Sequence, residues 1–282
     1  MMVGQNYIFT PHGISKIGPD NLYWQAIAYG NGRYVVVGNQ GAVTSSTDGV
    51  TWTEPKVLGS SNHVWDDLIF INGQFVAVGA AKQGGAGYIV ASNDGINWTT
   101  IKTVGTSGWS AITYGNGKYV VTGFGCNITT SPNGIDWTTP IQYGYNVWYR
   151  DVAYGNGRFV AITSSGYIAN SADGITWTTE NVRQGSKWSC ISYGNGKFIV
   201  LDGYGSNTAI STTGMTWITQ KNLVGTFPND ITYIDGTYVT VGSSGKISMS
   251  KDGINWPAPE IIKDNSGNEM QVQLECVRSA PE

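Results

Sequence analysis

Short stretches in which apolar and polar positions alternate, rather than apolar positions at helical spacing, set the rhythm of this chain. In the first complete copy, Trp24 to Tyr29 alternates, Arg33 to Gly38 (RYVVVG) is a β-branched run, and Ala42 to Ser46 and Val50 to Val57 follow as two further strand-like segments. Asn31-Gly32 separates the first two and Asp48-Gly49 the last two. Such pairs are favoured at the centre of two-residue type I′ turns, where both residues need positive φ. The pattern predicts four antiparallel strands per unit, with tight turns joining first to second and third to fourth, and leaves almost no place for helix.

The unit recurs. Tyr-Gly-Asn-Gly turns begin at Tyr29, Tyr114, Tyr154 and Tyr193, with variants at Phe70 and Tyr233. A closing Ser-x-Asp-Gly-x-Thr-Trp signature ends at Trp52, Trp98, Trp137, Trp177, Trp217 and Trp256, spaced by 46, 39, 40, 40 and 39 residues. A period near 40 with four strands matches the blade of a β-propeller. The reading is an all-β chain forming a single closed propeller of six four-stranded blades over residues 24–266, with closing strand segments at 1–23 and 267–282. The 23 leading and 16 trailing residues together make one period, so a seventh blade built from both termini is the alternative. Strand-like text at Tyr7 to Thr10 and Met270 to Val277 serves either arrangement, since a ring has to remove its free sheet edges.

Composition narrows the chemistry. Only 12% of residues are charged and the net charge is −3, without the basic stripe of a nucleic-acid binder. No apolar run approaches the length of about 18 residues that crosses a bilayer, so no membrane insertion is expected. The first residues lack the basic and apolar regions of a signal peptide, which predicts synthesis in the cytoplasm without classical secretion. Cys126, Cys190 and Cys276 are odd in number and lie at no metal-ligand spacing with each other or with His12 and His63. No disulfide, metal or cofactor is expected.

Most of the conspicuous residues belong to the repeat. The six closing tryptophans fit packing between blades. Asp48, Asp94, Asp173 and Asp252 interchange with Asn133 and Thr213, which fits a turn-stabilising role. Trp24, Trp65, Trp109, Trp148 and Trp188 stand at the start of first strands, with Phe227 in the sixth place, close enough to the axis to be candidate ligand contacts. Three residues before each turn aromatic the chain reads Ala26, Asp67, Ala111, Asp151, Cys190 and Asp230. Three acids on alternate blades suggest either an axial cation site or, the preferred reading, carboxylates that satisfy backbone amides of neighbouring blades.

Connectivity puts the tight turns on one face and the loops from second to third strand, and from one blade to the next, on the other. That second face varies along the chain and carries Phe124, Tyr143, Tyr145, Tyr149 and Tyr204, which the repeat does not demand, beside Trp148. Aromatic platforms beside Asn, Asp and Gln suit sugars.

The Ser-x-Asp-Gly-x-Thr-Trp hairpin resembles the Asp-box, or BNR, repeat of sialidase-like propellers, and the longer unit resembles repeats of bacteriophage tail and bacterial surface proteins. It lacks the extra residue that the Asp box carries between its Asp and Gly. The resemblance implies a receptor-binding or adhesion module exposed on a virion or cell surface. The expected function is therefore a non-catalytic, lectin-like propeller that binds a glycan or surface polysaccharide, with oligomeric display supplying avidity. A structural or assembly propeller, docking protein on its variable face in a larger particle or as a photosystem-type assembly factor, is the first alternative. A glycoside hydrolase is the second, but no Arg-Ile-Pro segment is present. With Arg33 and Arg158 in turns and Arg278 in the tail, Arg150 and Arg183 make too small a carboxylate clamp for a sialidase. Two carboxylates such as Asp202 and Asp230 meet only the general glycosidase scheme.

Overall fold

A computed structural model of the chain describes residues 1–82, 85–143, 147–221 and 225–278. Seven four-stranded antiparallel sheets form a β-propeller, so the ring has seven blades rather than six. Six blades are continuous in sequence. Their inner strands are Trp24–Gly30 (blade I), His63–Ile71 (II), Trp109–Gly115 (III), Tyr149–Gly155 (IV), Trp188–Gly194 (V) and Pro228–Ile234 (VI). Blade VII takes its inner strand, Leu274–Val277, from one end of the chain and the other three, Met2–Gly4, Tyr7–Thr10 and Gly13–Lys16, from the other end. Val3 pairs with Cys276 and Met2 with Val277, and main-chain bonds between Met1 and Arg278 extend the seam.

The two turn signatures behave differently. Asn31 and Gly32 both take positive φ, as a type I′ turn requires, and the equivalent pairs repeat this around the ring. At the second signature only the glycine does, and the Asp-Gly segment is not a two-residue hairpin. The outer strand of blade I is Lys56–Val57, and a bond from the Thr53 amide to the Ser45 carbonyl closes a longer loop. That loop is organised by side chains. Ser46 Oγ accepts from the Gly49 amide at 2.8 Å, while Asp48 Oδ1 accepts from Val50 and Thr51 at 2.9 and 2.7 Å. Asn133 Oδ1 and Thr213 Oγ1 take the same amides in their own blades, which explains their interchange with Asp. Gly95, Gly174 and Gly214 also lie so close to Val35, Val120 and Val160 of the preceding blade that a Cβ would collide.

The core lies between blades. Trp24, Trp65, Trp109 and Trp188 are fully buried, as is Tyr149, which takes the same place in blade IV. Leu274 and Pro228 complete the set in blades VII and VI. Of the closing tryptophans, Trp177 is buried and Trp52, Trp98, Trp137, Trp217 and Trp256 are half-buried at the outer margin. The inner aromatics are thus the more deeply packed set, the reverse of the sequence expectation.

Candidate functional site

The inner strands enclose an axial channel with a cavity of about 160 Å³. Each inner strand starts at the variable face and departs from regular pairing at the same step. The register shifts between Trp24 and Ala26, Trp65 and Asp67, Trp109 and Ala111, Tyr149 and Asp151, Trp188 and Cys190, and Pro228 and Asp230. In blade VII the step between Val3 and Gly4 skips Glu275 in the same way. A β-bulge re-aims the extra residue. Here all seven extra residues, Gln25, Asp66, Ser110, Arg150, Ser189, Asn229 and Glu275, line the channel.

One step further in lie the acids read from the sequence, and they clamp blades together. Asp67 accepts from the Leu68 amide of its own strand at 2.8 Å and from the Ile112 amide of blade III at 3.0 Å. Asp151 does the same with Val152 and with Ile191 of blade V, at 2.7 and 2.9 Å. Asp230 accepts from Ile231 and from Val277 of blade VII, at 2.8 and 2.9 Å. These are the neighbouring-blade contacts expected of a structural role. The threefold arrangement expected of a six-bladed ring is absent, because seven blades leave VII and I adjacent with Cys276 and Ala26, not acids, at the inner position. There, Cys276 accepts a hydrogen bond from the Ile27 amide.

Arg278, from the chain end just past blade VII, pairs with both Asp230 and Asp67, at 3.2 Å to the latter. The channel thus already holds one cation supplied by the chain itself. Burial pushes the Asp151 carboxyl up to about 8, helped by Asp230 and opposed by the Ile191 amide. Burial also raises Asp66 to about 8, with the neighbouring Asp67 adding to the effect and Arg150 opposing it. Glu275 is raised by burial as well. Among the described residues, Asp66 accepts no hydrogen bond and Arg150 closes no ion pair.

The candidate ligand contacts separate into three groups. Trp24, Trp65, Trp109, Trp188 and Tyr149 are sealed between blades and offer no stacking face. Trp148 does not begin the inner strand as the repeat suggested. It precedes Tyr149, stands 54% exposed, and packs edge-on against Phe124 of the neighbouring loop with ring centres 4.9 Å apart. Tyr204 is 57% exposed, with the Lys187 ammonium 5.4 Å from its ring centre. Phe227 is exposed in the place equivalent to Trp148, as is Tyr23. Tyr143 is half-buried, its hydroxyl donating to the Ile175 carbonyl of blade IV. Tyr145 lies outside the described residues. Asp202 is buried and anchors its own loop through the Ser206 amide, at 2.8 Å, and the Asn207 side chain.

The fold and channel define a seven-bladed β-propeller. No protein-family model and no curated sequence matches the chain. Among solved structures it is similar to YCF48 from Cyanidioschyzon merolae, at 15% identity and a TM-score of 0.62, over 90% of this chain and 87% of that one. It is similar also to YCF48 bound to a D1 peptide, at 16% identity and 0.64, over 90% and 84%. A catalytically inactive variant of virginiamycin B lyase from Staphylococcus aureus, with quinupristin, matches at 12% identity and 0.72, over 89% and 86%. At these identities the likeness is one of fold. The resemblance to Asp-box repeats rests on the hairpin residues alone, and nothing in these matches points to carbohydrate, phage or adhesin.

Proposed function

We propose that this chain is a non-catalytic docking propeller that binds a polypeptide segment across its variable face, over the mouth of the axial channel. The observation that carries the reading is the contrast at the inner-strand starts. Seven bulge residues there are all polar and turned to the axis, while Tyr23, Trp148 and Phe227 stand exposed at the adjoining rim. Exposed aromatics around a polar centre provide anchors for a protein interface. A fold neighbour that carries a peptide adds support at the level of the fold. The non-catalytic part of the reading is supported by the inner carboxylates, since Asp67, Asp151 and Asp230 each have both oxygens taken by main-chain amides.

Panning a random peptide library against the folded ring tests this. Enriched peptides should lose binding to a Tyr23→Ala, Trp148→Ala, Phe227→Ala variant. A glycan array run beside it decides against the reading if sugars bind and peptides do not. Turnover of a chromogenic glycoside panel would overturn the non-catalytic part.

A further inference from the structure

We propose that the bulge ring at the channel mouth is a binding site for an organic cation, an alkylammonium or guanidinium group, held between Asp66 and Glu275. The site deepens the docking reading and rests on it only for the source of the cation, which would then be a lysine or arginine side chain of the bound segment.

Three independent observations lead there. The first is the order of residues around the ring. Glu275 of blade VII and Asp66 of blade II flank Gln25 of blade I, whereas Arg150 of blade IV lies on the far side. Ser110, Ser189 and Asn229 fill the places between. The two acids of this tier therefore share one arc of the mouth, within electrostatic reach of Arg150, while Ser110, Ser189 and Asn229 are tied to main-chain carbonyls.

The second observation is the contrast in partners. Asp67, directly after Asp66 in sequence, has two amides and a guanidinium, while Asp66 lines the same cavity and accepts no hydrogen bond among the described residues. Asp66 is half-buried and its carboxyl stays open to the channel, so a hydrogen-bonding cation can meet it without displacing a protein partner. Among the described residues, Glu275 accepts only from the Gln273 side chain, at 2.8 Å.

The third is the cation already present. Arg278 occupies the inner part of the cavity between Asp67 and Asp230, so these walls accommodate a planar guanidinium. The cavity of about 160 Å³ has room for roughly five waters, enough for a small cationic head group. It is too small for a bulky ligand, and no cluster among the described residues is suited to hold a metal ion.

Binding should depend on pH in a definite direction. With its carboxyl raised to about 8, Asp66 binds a cation best once ionised, so affinity rises from pH 6 to pH 9. The charged groups around it are Asp67, Glu275 and Arg150, with Asp151, Asp230 and Arg278 lining the same cavity. Arg150 and the incoming cation repel each other.

The test is titration calorimetry of the full chain with n-butylamine, guanidinium and Nα-acetyl-lysine amide, with Nε-acetylated lysine amide and KCl as controls. The three cations should bind, more tightly at pH 8.5 than at pH 6.5, and the controls should not. Asp66→Asn should weaken binding by about tenfold or more, the scale of one charge-assisted hydrogen bond. Arg150→Gln should tighten it, and neither variant should alter the far-ultraviolet circular dichroism. Absence of amine binding at 20 mM, equal binding of potassium, or binding unchanged in Asp66→Asn overturns the site. Amine binding with peptide hits that lack Lys and Arg retains the site and overturns the polypeptide as its source.

Discussion

Asp66 and Asp67 are neighbours in sequence, line the same channel and carry the same side chain, yet they differ in what holds them. Asp67 is bonded to two blades and to Arg278, and its removal would leave amides and a guanidinium unmatched. Among the described residues, Asp66 is bonded to nothing that would miss it. The inner acids fasten blade to blade, and part of the bulge tier shares that duty, since Ser110 donates to the Tyr149 carbonyl at 2.7 Å and Asn229 to the Leu274 carbonyl at 2.8 Å, each in the next blade; Asp66 makes no such bond among the described residues. Freedom from structural work, more than exposure, marks the positions where a ligand can be met.

The comparison breaks most visibly if the inner tier proves dispensable. Asp230→Ala removes the acceptor of two amides and of Arg278, and should cost about 3–5 kcal/mol, the usual loss on stripping one partner from a buried ion pair. Urea unfolding measures it, and a loss below 1 kcal/mol would refute the clamp.

Asp66→Asn should have the opposite sign. Because the folded carboxyl is raised to about 8, the protonated form is favoured by folding, so the wild-type chain loses stability as pH rises from about 4 through 8. The Asn variant lacks that slope and should be more stable than wild type at pH 9 with no gain at pH 4, as read from urea midpoints at both.

The closing loops titrate the other way. Backbone amides of Thr176 and Ile175 hold the Asp173 carboxyl down at about 2, and Asp48, Asp94 and Asp252 are lowered by the matching amides of their loops. Their contribution is complete above the unfolded value near 4 and is lost as pH falls through about 2. Replacing all four by Asn should flatten the fall in Tm between pH 4 and pH 2, and an unchanged slope would refute it. Trp148→Ala and Tyr204→Ala, last and smallest, should move stability by less than about 0.5 kcal/mol, as expected for exposed side chains.

The repeat, its four strands and the scaffold role of Asp48 and its equivalents were legible because each rests on a local signature. So were the inner acids, whose alternation with Ala26, Ala111 and Cys190 could be read from spacing alone. The blade number was read as six, with seven only as the alternative, because Leu274 stands where five blades have an aromatic and the segment Leu274–Val277 has no Tyr-Gly turn after it. Trp148 was placed one residue off since Tyr149 beside it is also aromatic. The bulge tier was missed for a deeper reason. Period-two reasoning turns adjacent side chains to opposite faces, and a bulge suspends that rule. The available signal was the unbroken polarity of Gln25, Asp66, Ser110, Arg150, Ser189, Asn229 and Glu275 within otherwise apolar strands.

The composite blade also sets a clock for synthesis. Met2–Gly4, Tyr7–Thr10 and Gly13–Lys16 are made before blades I to VI, and the strand that completes their sheet, Leu274–Val277, only after them. At about 5–20 residues per second, the free edge of Met2–Gly4 waits roughly 10–60 s for its partner. Throughout that interval six blades can assemble as an open arc with an unpaired strand at one end, the form most exposed to pairing with another nascent chain.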